Sequence, residues 1–190
     1  MATELAETVA GKPYCFTVDD YMRMSEAGIF QEDDPVELIE GEILQMAAVG
    51  GDHIGCVNTL TALLVHGVYG MATVSVQNPV RLSNHSEPEP DVALLRPDLP
   101  RNAKPGPTDV LLLIEVADSS RLYDRSRKIP LYARSGIIET WLVDLVAGTI
   151  EQNTEPSAEG YGQTTLHRRG DIITPAALPF LSLDVGEVLG

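Results

Sequence analysis

Asp91 and Glu115 are two acids 24 residues apart, and Lys128 follows 13 residues after the second. Each acid borders an apolar run: Asp91 opens onto VALL at 92–95, and Glu115 stands near the end of VLLLIEV at 110–116. If the two runs pair as neighbouring antiparallel strands, the start of the first lies beside the end of the second, and the carboxylates meet at one edge. Hard oxygen ligands in that arrangement suit Mg²⁺, or Mn²⁺, which takes one or two carboxylates with waters and needs neither histidine nor cysteine. A bound ion lowers the pKa of a coordinated water and neutralises charge developing on a phosphodiester, and the Val116 carbonyl could add a third oxygen. Lys128, one of three lysines in the chain, would hold the attacking water or the phosphate. Structural readings compete: Asp91 could cap a turn, and Lys128 could pair with Asp124 at i,i+4 spacing. Glu115 resists such a reading, because an acid inside a covered strand costs several kcal/mol unless it is paired or metal-bound.

The elements that must position these residues can be read along the chain. Thr17 and Asp20 resemble a capping box ahead of a short helix that Gly28 ends. VELIEGEILQM reads as a hairpin of Val36–Ile39 and Glu42–Met46 turning at Glu40-Gly41, with Glu37 on the face of Ile39. From Asp52 the apolar positions Ile54, Val57, Leu60, Leu63, Leu64 and Val68 have helical spacing, and Gly70 closes the helix. A strand is expected over Thr73–Leu82, interrupted or at an edge because of Pro79. PEPD at 88–91 is held extended by its prolines, and RPDLPRNAKPGPTD at 96–109 is a loop. The run at 110–116, apolar on both faces, predicts a central strand covered on both sides. A helix over Arg125–Ser135, a strand over Glu139–Leu145, a turn at Ala147-Gly148 and a strand over Thr149–Asn153 follow, with Trp141 and Leu142 in the core. The order from residue 52 is helix, three strands, helix, strand.

Composition bounds the function. At 190 residues and 44% hydrophobic content, the chain suits a single domain over 1–190, with the first dozen residues as a loose tail. The formal charge of −15 repels polyanions at long range. Against it, Arg121, Arg125, Arg127, Lys128 and Arg134 fall within fourteen residues whose only acid is Asp124. That cluster implies a local positive field in which Arg125 and Arg127 contact backbone phosphates. Cys15 and Cys56 are too few for a disulfide framework, and no apolar stretch approaches membrane-spanning length, so a reducing cytoplasm is expected. Other chemistries find little footing. Gly50 and Gly55 have phosphate-loop spacing, but Cys56-Val57 follows where Lys-Ser/Thr is needed. No GxSxG elbow occurs, and His53 with Cys56 lacks further zinc ligands.

VELIEGEI, the helix opening at His53, QNPV at 77–80, PEPDVALL, LLLIEVADSS and YDRSRKIPLYARSGIIETWLVDL together resemble the Uma2 family of restriction endonucleases, within the PD-(D/E)XK nuclease superfamily. The resemblance runs from about Thr17 to about Leu145. It implies a restriction-endonuclease-like αβββαβ core of α/β (α+β) class, a central mixed sheet flanked by helices with an N-terminal helix and hairpin. It makes Asp91 the motif aspartate and Glu115 the second acid. The signature lysine would stand two residues after Glu115, where this chain has Ala117; similar families carry it on the next helix, where Lys128 is the candidate and Tyr132 shares its face. Glu37 matches the hairpin glutamate, an outer metal ligand or a base. His53 and Gln77 become candidate substrate contacts, beside Arg125, Arg127 and Tyr132. The implied activity is Mg²⁺-dependent cleavage of DNA by a homodimer. Two alternatives stand: a nuclease fold that no longer cuts and serves as a binding or assembly module, and a hydrolase using Asp91 and Glu115 as an acid/base pair.

Overall fold

The computed structural model describes residues 12–31 and 34–190. The expected tail therefore lies, but for Lys12, outside the described residues. Helix α1 (Val18–Glu26) starts at the expected capping box, in which the Thr17 hydroxyl accepts from the Asp20 amide and the Asp20 carboxylate accepts from the Thr17 amide. Strands β1 (Val36–Ile39) and β2 (Glu42–Gln45) form the expected hairpin. Its turn is tethered to the rest of the chain by the Phe16 amide on Gly41 O and the Gly41 amide on His85 O.

Helix α2 (Gly51–Val68) is followed by β3 (Thr73–Val76), β4 (Val92–Leu95) and β5 (Val110–Ala117). A stepped helical segment comes next: α3 (Arg121–Tyr123), a π-helical turn (Asp124–Lys128) and α4 (Ile129–Arg134). Strands β6 (Glu139–Asp144), β7 (Thr149–Ser157) and β8 (Gly160–Arg168) complete a six-stranded mixed sheet in the order β3-β4-β5-β6-β7-β8. Only β5 and β6 run parallel within it, joined by the helical crossover, and the αβββαβ order is the one expected. The short pair β9 (Ile172–Ile173) and β10 (Leu183–Asp184) and the helix α5 (Val185–Leu189) close the chain.

Alternation along β5 divides its side chains between two cores. Leu112, Ile114 and Val116 join α2 and the C-terminal segment, with Trp141 and Val143 of β6. Leu113 and Ala117 join Ile129, Leu131, Tyr132 and Leu142 on the opposite face. A continuous apolar run is what a strand covered on both faces requires. Burying side chains of this size contributes roughly 1.5–3 kcal/mol each.

Three boundaries differ from expectation by more than one residue. The strand predicted over Thr73–Leu82 stops at Val76, because Gln77 takes φ +50° and the Asn78 side chain bonds back to Val76 O. The helix predicted from Arg125 begins at Arg121 and contains the π turn, which no apolar periodicity announces. The strand from Thr149 runs on to Ser157 and pairs with β8, a partner whose mostly exposed residues carry little hydrophobic signal.

Candidate active site

Val92 stands opposite Ile114, so one further step along the antiparallel ladder sets Asp91 beside Glu115. Glu115 projects to the face of β5 covered by the stepped helix. There its Oε1 accepts from the Tyr132 hydroxyl and lies 3.4 Å from Lys128 Nζ. Lys128 Nζ is also 3.1 Å from Glu37 Oε2, so the amine sits between a carboxylate of β1 and one of β5. Glu37 and Lys128 are each 2% exposed and Glu115 is 3%. The π turn makes this geometry by widening the helix where Asp124 and Lys128 both turn inward, and such turns concentrate at functional sites. Tyr132 follows one turn later on the same face.

Burial works against the Lys128 ammonium, but Glu115, Glu37 and Asp124 together outweigh it and hold its pKa above the ordinary value. For Glu115 burial dominates. Lys128 draws its pKa down, Asp91 and Asp124 push it up, and the carboxyl ends at about 8. One ammonium neutralises one of its two carboxylate partners, and a proton on Glu115 neutralises the other. The folded pKa lies above the unfolded value of 4.5, so the folded state binds the extra proton between about 4.5 and 8. This group's contribution to stability is complete below that window and declines as pH rises through it. Thermal melts in chelator should therefore show wild type losing a few kcal/mol relative to Glu115→Gln between pH 5 and 8. Parallel profiles for the two proteins would refute the assignment.

Asp91 is oriented by three elements. The Val116 amide donates to its Oδ2 at 2.8 Å, and His53 Nε2 of α2 lies 3.1 Å from both carboxylate oxygens. The Gln77 amide donates to its carbonyl at 3.1 Å. His53 is thus engaged by a carboxylate within the chain. Its hydrogen bond to Asp91 outweighs burial and raises its pKa, favouring the imidazolium. In a strand the amide and carbonyl of one residue point to the same side, so the Val116 carbonyl is directed past the end of β4, beside Asp91.

A cavity of about 630 Å³ opens over these groups and is lined by Glu37, His53, Gln77, Asp91, Glu115, Val116 and Lys128. Asp34, Glu89, Asp118 and Asp124 line it as well, four acids absent from the residues singled out by sequence. Glu89 could have been found, since it stands two residues before Asp91 in an extended segment and so shares its side. Burial foremost, and Glu37 next, raise its pKa.

The donor set fits a hard divalent cation. Asp91, Glu115 and the Val116 carbonyl offer oxygens at one edge, and Glu37 Oε1 is buried without a partner. Among the described residues no three His, Cys, Asp or Glu side chains gather closely enough to hold an ion between them. The protein would thus contribute two carboxylates and waters the rest, as Mg²⁺ commonly requires.

The remaining candidates lie elsewhere. Tyr132 is fully buried beneath Glu115, away from any substrate surface. Arg125 is held by Glu151 and Asp144, and Arg121 approaches Asp144 at 3.8 Å. Arg127 pairs with Glu40 and Glu42, and Arg134 with Glu40. These pairs offset the positive field expected around this helix. Acids of the β1–β2 turn, β6 and β7 fold onto the basic residues, a pairing that crosses up to 94 positions of sequence.

Residues 18–186 match the family model Uma2, described as "Putative restriction endonuclease". Among curated proteins nothing matches the chain. Among solved structures, the chain is similar to a putative nuclease belonging to DUF820 from Anabaena variabilis ATCC 29413. The TM-score is 0.72 at 17% identity, covering 92% of this chain and 97% of that one. At that identity the likeness shows the fold.

Proposed function

Because the chain belongs to the Uma2 family, we propose that it is a Mg²⁺-dependent endonuclease that hydrolyses DNA phosphodiester bonds at the edge shared by Asp91 and Glu115. The observation that carries this reading is the buried Lys128, fixed between Glu37 and Glu115 at the floor of the cavity that Asp91 also lines. A structural ion pair would not need a second buried carboxylate, nor a third acid oriented beside it by His53 and a backbone amide.

Asp91, Glu115 and the Val116 carbonyl would hold Mg²⁺, with Mn²⁺ as substitute. The ion supplies a water of lowered pKa and offsets charge on the phosphate. The chain's own residues do the positioning. Glu37 holds the Lys128 amine at the edge, where its remaining donors reach the attacking water or a phosphate oxygen. His53 fixes the rotation of Asp91, and Tyr132 that of Glu115. Gln77 stands at the rim as a substrate contact. Cutting both strands takes two such centres, which a homodimer provides. Cys15 and Cys56 are both free, in keeping with a reducing cytoplasm. Among the described residues no helix is long and apolar enough to cross a membrane.

Purified wild type should cut supercoiled DNA in Mg²⁺ or Mn²⁺ and not in chelator. Asp91→Ala should cut at least a hundredfold more slowly with its circular dichroism unchanged. Equal cleavage by wild type and variant would exclude the proposal. The acid-rich lining and the paired arginines favour one other reading, a nuclease fold that binds without cutting. Isothermal titration decides between them: a wild type that takes up no Mg²⁺ or Mn²⁺ at millimolar concentration supports the binding module.

A further inference from the structure

Helix α2 turns one face to the sheet and the other to solvent, and the solvent face carries a single charge, Asp52, in its first turn. A surface helix ordinarily sets charged residues there. Here Gly55, Asn58, Ala62 and Val65 are all exposed, three or four residues apart, and so form one stripe with His66 on its flank, and the exposed Tyr69 follows as the residue that caps the helix end. Val65 is 57% exposed and Tyr69 91%, the latter at φ +40° with nothing among the described residues covering it. Met71 beyond the helix end is 58% exposed. A glycine inside a helix is unfavourable, yet a Cβ at Gly55 would meet nothing within 4 Å. The fold itself has no use for a bare backbone at that point. A partner approaching closely would.

We propose that this face of α2 joins two copies of the chain, packed antiparallel about a two-fold axis at Ala62. That register sets Tyr69 of each helix over the bare backbone of Gly55 in the other. It sets Asn58 opposite His66, two side chains able to hydrogen bond, and brings Ala62 onto Ala62 where the helices are closest. An isologous contact must be complementary to itself, and this sequence of large, polar and small positions meets that condition about one centre. Charge selects the same occupant. Two molecules of formal charge −15 repel one another, and a long face nearly free of charge lets them meet without setting acid on acid. With Ile54 at its margin and Met71 just beyond its end, the exposed surface is on the order of the 800 Å² that each partner of a specific dimer buries. The contact stands independently of the chemistry at Asp91.

Sedimentation of the whole chain at tens of micromolar should give twice its mass of 20.5 kDa. Ala62→Glu should sediment as one chain with unchanged circular dichroism, its dissociation constant raised at least a hundredfold. Asn58→Glu with His66→Glu should also dissociate, whereas Asn58→Lys with His66→Glu should remain a dimer, because only the antiparallel register sets those opposite charges together. A wild type of single-chain mass, or a dimer indifferent to Ala62→Glu, overturns the interface. If both paired variants dissociate alike, the antiparallel register is overturned.

Discussion

Lys128→Met should damage stability as well as cleavage. The side chain is 2% exposed, and its removal leaves Glu37 and Glu115 buried with no cation between them. Breaking a buried ion pair by deleting one partner costs about 3–5 kcal/mol. In a chain of this size that lowers the melting temperature by roughly 10 °C. The comparison that isolates the cause is Lys128→Met with Glu37→Gln, which removes one stranded charge. The double variant should melt several degrees above the single one and stay inactive, because cleavage needs the amine itself. Lys128→Arg should not rescue cleavage, since a planar guanidinium cannot take the place of a compact ammonium in an enclosed site. A single variant that melts within 2 °C of wild type would show that the amine is not the counter-ion described.

Glu115→Gln separates chemistry from stability. The amide keeps the shape of the side chain, and its oxygen can accept from the Tyr132 hydroxyl. Lys128 then has one carboxylate partner, Glu37, and the buried charges balance. The variant should match wild type near pH 4.5, melt progressively higher as pH rises toward 8, and keep the full difference above that, because the folded wild type holds a proton that the unfolded chain has lost. Cleavage in Mg²⁺ should fall at least a thousandfold, an effect of about 4 kcal/mol on the barrier. Retained cleavage would remove Glu115 from the centre, and loss of fold would mean that its charge is structural.

The part of the site set by strand ends was legible in the sequence. Prolines hold residues 88–91 extended, an apolar run fixes β5, and antiparallel pairing of neighbours then puts Asp91 and Glu115 together. Lys128 could be named as the relocated amine, but not its route to the edge, because a π turn leaves no periodic trace. The role of His53 was hidden for another reason. Whether a helical histidine faces a carboxylate depends on how the helix docks, which residues 50–70 alone do not determine. The basic cluster misled for the same reason: local composition shows five cations and one acid, and the fold brings Glu40, Glu42, Asp144 and Glu151 onto them. The β7–β8 ribbon and the C-terminal turns went largely unread, their exposed residues giving pairing without hydrophobic alternation.

Glu37, His53, Asp91, Glu115 and Lys128 come from five places along the chain: β1, α2, the extended segment before β4, β5 and the π turn. Asp91, Glu115 and Val116 come from the neighbouring β4–β5 pair, but the amine beside them comes from the π turn and is held by Glu37 of β1. The β7–β8 ribbon closes through neighbouring residues, whereas the β5–β6 pairing spans the helical crossover, so its loop-closure entropy must be met before its contacts repay it. On the proposed chemistry, the complete edge exists only in the finished molecule. A half-made or half-unfolded chain would then leave nucleic acid uncut, and the order of assembly would itself act as a safeguard.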